Sequence, residues 1–354
     1  MTPRQLKWIE IDLAAIRANI RWVGSRLKPG VALMAVVKAD AYGTGSARIA
    51  KEALAHGASV LGVLTIAEAA RLRESGLKAP IQILAPMPAE NAGLIVKLKL
   101  IPTIDTLEQA RALNAAAPSR GLGAHIDLDF GLGRWGLAPR RLPDFMGALS
   151  RLKRLKPAGL SAHIDYLPGK NAVEAEDKLG AFWAIAQKLK RQYPGLICHA
   201  ANSSILMDFP HWQMDCVRVG NLMYGINPAK AKPAPLKNPW RFYARIIALQ
   251  RVNRGQTIGY ASEYIAPRKM VVATLPAGYA DGLTLEPAGR LISFSGGAQY
   301  WGMLGNVKTP FVGRCGISHV LIDVTAAPRA RIGDAVALPV RRTAANAMIP
   351  RIYL

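Results

Sequence analysis

Between Trp8 and about Pro228, short apolar β-type runs alternate with stretches whose apolar positions recur every three or four residues. The first such stretch aligns Leu13, Ile16, Ile20, Val23 and Leu27 on one face, with Asp12 placed to cap it. Further helical periods cover residues 67–75, 107–117 and 173–191. Strands are expected at 32–37, 59–63, 81–84, 100–103, 124–130, 159–163, 196–199 and 216–219. About eight β/α units in ~220 residues predict an α/β fold, an N-terminal (β/α)8 TIM-type barrel with its chemistry at the C-terminal strand ends. Lys38, Arg134, His163 and the pair Asn202-Ser203 each fall just after an expected strand, which gathers them at that end.

The proline-rich segment from Pro228 to Pro235 reads as a semi-rigid linker. Beyond it, β-type runs at 241–249, 270–275, 291–294 and 320–324 are punctuated by Gly and Pro and predict a C-terminal mostly-β domain. The expected division is 1–230 for the barrel and 231–354 for the β-domain, with residues 1–12 free to pair with the latter.

Composition removes some classes of function. No run approaches the ~18 apolar residues that cross a bilayer, so no membrane partner is expected. Cys198, Cys216 and Cys315 match no zinc spacing; no metal site is expected, and burial as small hydrophobes accounts for all three. So few cysteines, and no apolar signal core near the N-terminus, point to a reducing cytoplasm. The 46 Lys and Arg against 23 Asp and Glu leave a net charge of +23. Those charges are scattered, with clusters only at 151–156 and at Arg341-Arg342, so a basic enzyme without a specific nucleic-acid partner is the expectation.

Two strings carry candidate chemistry. In Ala35-Val36-Val37-Lys38-Ala39-Asp40-Ala41-Tyr42-Gly43 an apolar strand ends in one lysine. A lysine stripped of part of its hydration has a lowered pKa and an amine free to attack carbonyls; otherwise Lys38 is a solvated strand end. The second string, Gly131-Leu132-Gly133-Arg134-Trp135-Gly136, fits G-x-G-x-x-G. A dinucleotide site needs this turn to open a helix, and Pro139 and Pro143 interrupt the segment after it. A glycine-rich loop that lets Arg134 enter the site accounts for it better.

The first string resembles the lysine motif of alanine racemases, and the resemblance runs from Trp8 to Arg351. It implies that Lys38 forms a Schiff base with pyridoxal 5'-phosphate (PLP) and that Tyr42 contacts the phosphate. Asn202 and Ser203, in His199-Ala200-Ala201-Asn202-Ser203, resemble the phosphate-binding turn, although these two residues also suit an ordinary helix N-cap. In the block from Val217 to Gly225, Arg218 would face the pyridine nitrogen, and Gly220 and Asn221 would offer backbone N–H groups to the phosphate. A permanently charged arginine there makes the cofactor a restrained electron sink, which suits racemisation. Tyr260, in Thr257-Ile258-Gly259-Tyr260, resembles the second catalytic base, contributed across a homodimer interface, and His163 would link it to the arginine. A free tyrosine titrates near about pH 10, so that role needs a cationic or hydrogen-bonding neighbour.

The implied activity is interconversion of L- and D-alanine for cell-wall precursors, with Arg134 and the Ile317 amide holding the substrate carboxylate. Departures from the family pattern leave the substrate range open. Asp127 stands where many relatives carry a carbamylated lysine beside Arg134, and is either its replacement or an inert inward-facing acid. Ile317 and Ser318 replace Met-Asp, Ala347 replaces a tyrosine, and Leu285 replaces an arginine, so serine or a broader range of amino acids stays an alternative. A PLP-dependent decarboxylase, or a catalytically silent binding protein, are the other readings.

Overall fold

The computed structural model describes residues 5–229, 232–262, 264–283 and 300–354. The chain divides into two units: residues through Leu13 with Pro239–Leu354, and Ala14–Asn238. Leu285 and the strand expected at 291–294 lie outside the described residues.

Strand β1 (Lys7–Ile11) belongs to the first unit. The other unit contains eight parallel strands: β2 (Ala32–Val36), β3 (Ala58–Val63), β4 (Ile81–Pro86), β5 (Ile101–Ile104), β6 (Leu122–Leu128), β7 (Leu155–Ala162), β8 (Ile197–His199) and β9 (Cys216–Val219). Their order is β8-β7-β6-β5-β4-β3-β2-β9. The Asp215 and Arg218 amides donate to the carbonyls of Cys198 and Ala201, which brings β8 beside β9 and nearly closes the barrel. The expected strands and helices fall within a few residues of those observed. The first helix stops at Gly24, so Ile16, Ile20 and Val23 are buried while Leu27 lies beyond its end and is only half-buried. Capping boxes start two of the outer helices, Thr65 with Glu68 and Thr106 with Gln109.

The proline-rich segment does not simply leave the barrel. Asn19, 1% exposed, donates to the carbonyls of Met223 and Lys237 and accepts from the Lys237 amide. This fastens residue 237 to the first helix, so the chain changes unit only after Asn238. Gly225 makes the return possible, with φ +76° and the Lys237 carbonyl oxygen pressed into the space a Cβ would occupy.

The other unit adds β10 (Trp240–Arg245), β11 (Ala248–Val252), β12 (Thr257–Ile258), β13 (Tyr264–Ile265), β14 (Met270–Leu275), β15 (Trp301–Leu304), β16 (Val307–Val312), β17 (Val320–Asp323), β18 (Ala335–Leu338) and β19 (Arg351–Tyr353). Among the described residues nine strands form one sheet, β11-β14-β17-β16-β15-β18-β10-β1-β19, and β12 pairs with β13. The single strand expected at 241–249 is two strands. The Ile246 amide bonds to Asp334 and that of Ile247 to Thr274, so the pairing partner switches there. β1 is held between β10, antiparallel, and β19, parallel.

A methyl group at Gly225 meets the Lys237 carbonyl and an unfavourable positive φ together. Gly225→Ala should lower stability by about 2–3 kcal/mol, read as a drop in the urea midpoint; an unchanged midpoint contradicts this packing.

Candidate active site

Lys38 comes just after β2; Leu33 to Val36 of that strand and Val37 beyond it are all buried. The next four residues are all left-handed: Ala39 (φ 51°), Asp40 (51°), Ala41 (53°) and Tyr42 (57°). L-residues disfavour that region by about 1–2 kcal/mol each, so such a turn persists only where its surroundings over-determine it. Glu68 accepts from the Ala39 amide at 2.6 Å, and Asp40 Oδ1 accepts from the Ser46 amide at 2.8 Å. The Tyr42 ring stacks on Tyr224 at 4.6 Å between centroids, and the Tyr224 hydroxyl donates to the Val36 carbonyl at 3.0 Å. The Tyr42 hydroxyl fills the space where Gly220 would carry a Cβ, so only glycine admits it. Burial and the charge of Arg134 push the Lys38 amine below the ordinary lysine range, against a smaller opposing effect of Glu68.

The barrel interior is polar where most barrels of this kind are filled by Val, Ile and Leu. Gln82, Thr103, His125, Asp127, Ser161, His199 and Arg218 are all buried. Arg218 gives Nη1 hydrogens to His199 Nδ1 (2.6 Å) and the His199 carbonyl (2.6 Å), and Nη2 hydrogens to the carbonyls of Ala162 (2.7 Å) and Ala200 (3.2 Å). A guanidinium only donates, so His199 Nδ1 accepts and the His199 proton sits on Nε2. That proton is shared with His125 Nδ1 at 2.9 Å. The His125 ring in turn occupies the space a side chain at Gly159 would need. Four of the five guanidinium hydrogens are thus engaged among the described residues, which leaves the one on Nε.

Lys38, Tyr42, Asp127, Arg134, His163, Asn202, Ser203, Arg218, Gly220 and Asn221 line one cavity of about 500 Å³. Asn202 is a helix N-cap, its Oδ1 accepting from the Ser204 and Ile205 amides. Ser203 is different: it is buried and its hydroxyl has no partner among the described residues. With the Gly220–Tyr42 approach it makes a polar cradle that fits a phosphate group. The Arg134 loop opens no helix. Asp129 Oδ1 accepts from the amides of Gly131, Leu132 and Gly133, and the Arg134 guanidinium lies 3.7 Å from the Trp135 ring centre. Asp127 takes its hydrogen bond from Ser161, and burial raises its carboxyl to about 6 despite Ser161, Arg218 and Arg134. Burial, then the charges of Arg218, Arg134 and Lys38, hold His163 down at about 3.

Tyr260 and Ile317 belong to the β-rich unit, and both are exposed, at 61% and 58%. The Tyr260 ring lies 5.8 Å from that of His319. Gly278 leaves room for the Gly316–Ile317 backbone, whose carbonyls accept from the amides of Tyr279 (3.1 Å) and Ala280 (3.0 Å). Asn346 donates to the Ala280 carbonyl, and Ser318, Ala347 and Met348 are exposed beside these segments. The sequence reading missed the His125–His199 pair, Gln82 and Ser161. Polar residues at alternate positions of barrel strands were the available signal.

Two family models match the chain: the alanine racemase N-terminal domain over residues 11–228 and the alanine racemase C-terminal domain over 240–349. The alanine racemase of Desulfovibrio desulfuricans is 34% identical over 94% of this chain and 88% of its own length. The alanine racemase of Bacillus anthracis, solved with bound L-Ala-P, is 25% identical with a TM-score of 0.87, covering 100% of this chain and 96% of that one. That of Bartonella henselae, solved with covalently bound pyridoxal phosphate, shares the fold at 22% identity and a TM-score of 0.84, covering 99% and 100%.

His125 and His163 are depressed to about 4 and about 3, and His199 is also well below its ordinary value. From pH 6.5 downward the unfolded chain therefore binds protons that the folded one refuses, and stability falls with pH. Asp127, raised to about 6, opposes this more weakly, being one group against three. The urea midpoint should drop between pH 7 and pH 5; a rise would contradict the neutral histidine network.

Proposed function

The chain belongs to the PLP-dependent alanine racemase family, and on that premise we propose that it interconverts L- and D-alanine with Lys38 and Tyr260 as the two bases. One observation carries the reading. A desolvated lysine, an unpartnered buried serine hydroxyl and a buried arginine with one spare donor face a single cavity. PLP, when bound, supplies the electron-withdrawing ring that makes the α-hydrogen of an amino acid acidic. Tyr42, Ser203 and the backbone of Gly220 and Asn221 would hold its phosphate, Asn202 shaping the turn, and Arg218 Nε would meet the ring nitrogen.

The rest is done by the chain's own groups. Lys38 Nζ, its proton affinity lowered by burial and by Arg134, takes or returns the α-proton on one face. The hydroxyl of Tyr260 serves the opposite face. His163, kept neutral by burial and three nearby cations, couples that hydroxyl to Arg218. Arg134 and the Ile317 amide hold the carboxylate, and Asp127 orients Arg134 as a carboxylate borne directly on β6. The exposed cluster of Tyr260, Ile317 and Met348 supports a homodimer in which Tyr260 enters the site of the partner subunit. No helix among the described residues is long and apolar enough to cross a membrane; the cytoplasm is the proposed compartment. The small Ala347 side chain, where the family pattern carries a tyrosine, supports acceptance of serine alongside alanine.

The test is α-deuteration and D-isomer formation from a panel of L-amino acids in D₂O; exchange with none of them overturns the racemase reading. Lys38→Ala and Tyr260→Phe should each lower turnover by about 10²–10⁴-fold. Mixing the two inactive proteins should restore activity, because a mixed dimer keeps one site with both bases; no recovery places both bases in one subunit. Asp127→Ala should raise KM for alanine about tenfold, whereas unchanged kinetics make it an inert wall residue.

A further inference from the structure

The Glu68 carboxylate does two things at once. Within its own loop it closes a capping box: the Glu68 amide donates to Thr65 Oγ1 at 3.2 Å, while Oε2 accepts from the amides of Leu64 (2.8 Å) and Thr65 (3.1 Å). Its other oxygen leaves that loop and accepts from the Ala39 amide at 2.6 Å, the shortest of the three contacts. A helix cap needs only the first set. The second ties the loop after β3 to the first residue of the left-handed turn after β2.

That residue adjoins Lys38. Four successive left-handed residues are strained even with the Ala41 amide bonded back to the Val37 carbonyl at 2.9 Å, and Ala39 itself is exposed. The far end of the turn is braced by the Asp40–Ser46 contact and by Tyr42 on Tyr224. At the near end, the side-chain contact on the Ala39 amide comes from Glu68. Its charge also reaches the lysine: of the charged groups acting on Lys38, Arg134 lowers its proton affinity and Glu68 raises it, while His163 is neutral.

We propose that Glu68 is the positioning residue of Lys38, its carboxylate clamping the Ala39 amide to the Leu64–Thr65 backbone so that the lysine amine is held at one point of the cavity. The clamp acts by geometry first, because a carboxylate with both oxygens occupied by amides from two loops fixes their separation. Its negative charge acts second, by keeping the amine from losing its proton too readily next to Arg134. The inference rests on Lys38 being the functional lysine of the cavity.

Three variants separate the clamp from the cap. Thr65→Ala removes half of the capping box and leaves the Ala39 contact. Glu68→Ala removes both, and Glu68→Gln keeps one accepting oxygen but puts an NH₂ where an amide must be accepted. The first readout is the pH midpoint for labelling of Lys38 by an amine-selective reagent in protein freed of cofactor, mapped by mass spectrometry. It needs no turnover, so it can fail or succeed independently of the racemase assay. The second readout is kcat and KM for alanine with cofactor bound.

Glu68→Ala and Glu68→Gln should move the Lys38 midpoint to lower pH, and Glu68→Ala should lower kcat about 10–100-fold with a smaller change in KM. Thr65→Ala should leave the midpoint and kcat as in the parent. The proposal is overturned if Thr65→Ala reproduces the Glu68→Ala changes, or if neither Glu68 variant shifts the midpoint.

Discussion

A guanidinium shut inside the barrel, that of Arg218, is the constraint to which the rest of the site conforms. Removing such a charge from water costs several kcal/mol, and it is tolerable only where hydrogen-bond acceptors surround it. Here those acceptors are the backbone carbonyls of Ala162, His199 and Ala200 and one ring nitrogen of His199. Satisfying Arg218 therefore fixes how the ends of β7 and β8 sit. It also fixes the tautomer of His199, then that of His125, and its charge adds to the burial that keeps His163 neutral. Gly159 follows from the same chain, because the His125 ring fills its side-chain space.

The consequence for chemistry is a separation of charge states within one cavity. Arg218 and Arg134 remain cationic, the histidines stay neutral, and Lys38 loses part of its proton affinity. Asp127 is the exception to the cationic surroundings, a carboxyl whose burial outweighs its attraction to two arginines. An anionic phosphate and a substrate carboxylate both suit such a space, which is why the excess of cations inside needs no nucleic-acid partner to explain it.

Strain is concentrated beside the cavity. The left-handed turn after Lys38 sits against Glu68 on one side and the Tyr42–Tyr224 stack on the other. A rigid barrel can absorb that strain, since the cost is a small fraction of the stability contributed by a core of this size. The β-rich unit works differently. Its segments around Tyr260, Gly278 and Ile317 are drawn together by backbone contacts, and the side chains of Tyr260, Tyr279 and Ile317 stay exposed.

Much of this was legible in the chain. Alternation of β-type runs with helical periods determined the (β/α)8 plan, because a strand buried on both faces and a helix buried on one leave different signatures. The strings around Lys38, Arg134, Asn202-Ser203 and Arg218 named residues that the structure brings to one cavity, since each lies at or beyond the end of a barrel strand. Only tertiary structure decided that Asn19 pins Lys237 and delays the change of unit, that strand 241–249 breaks where its partner changes, and that Glu68 reaches a neighbouring loop. It alone assembled His125, His199 and Arg218 into one network. Each of these depends on a contact between residues far apart in sequence or on loss of water around a charge, and neither periodicity nor local spacing encodes which distant groups will meet.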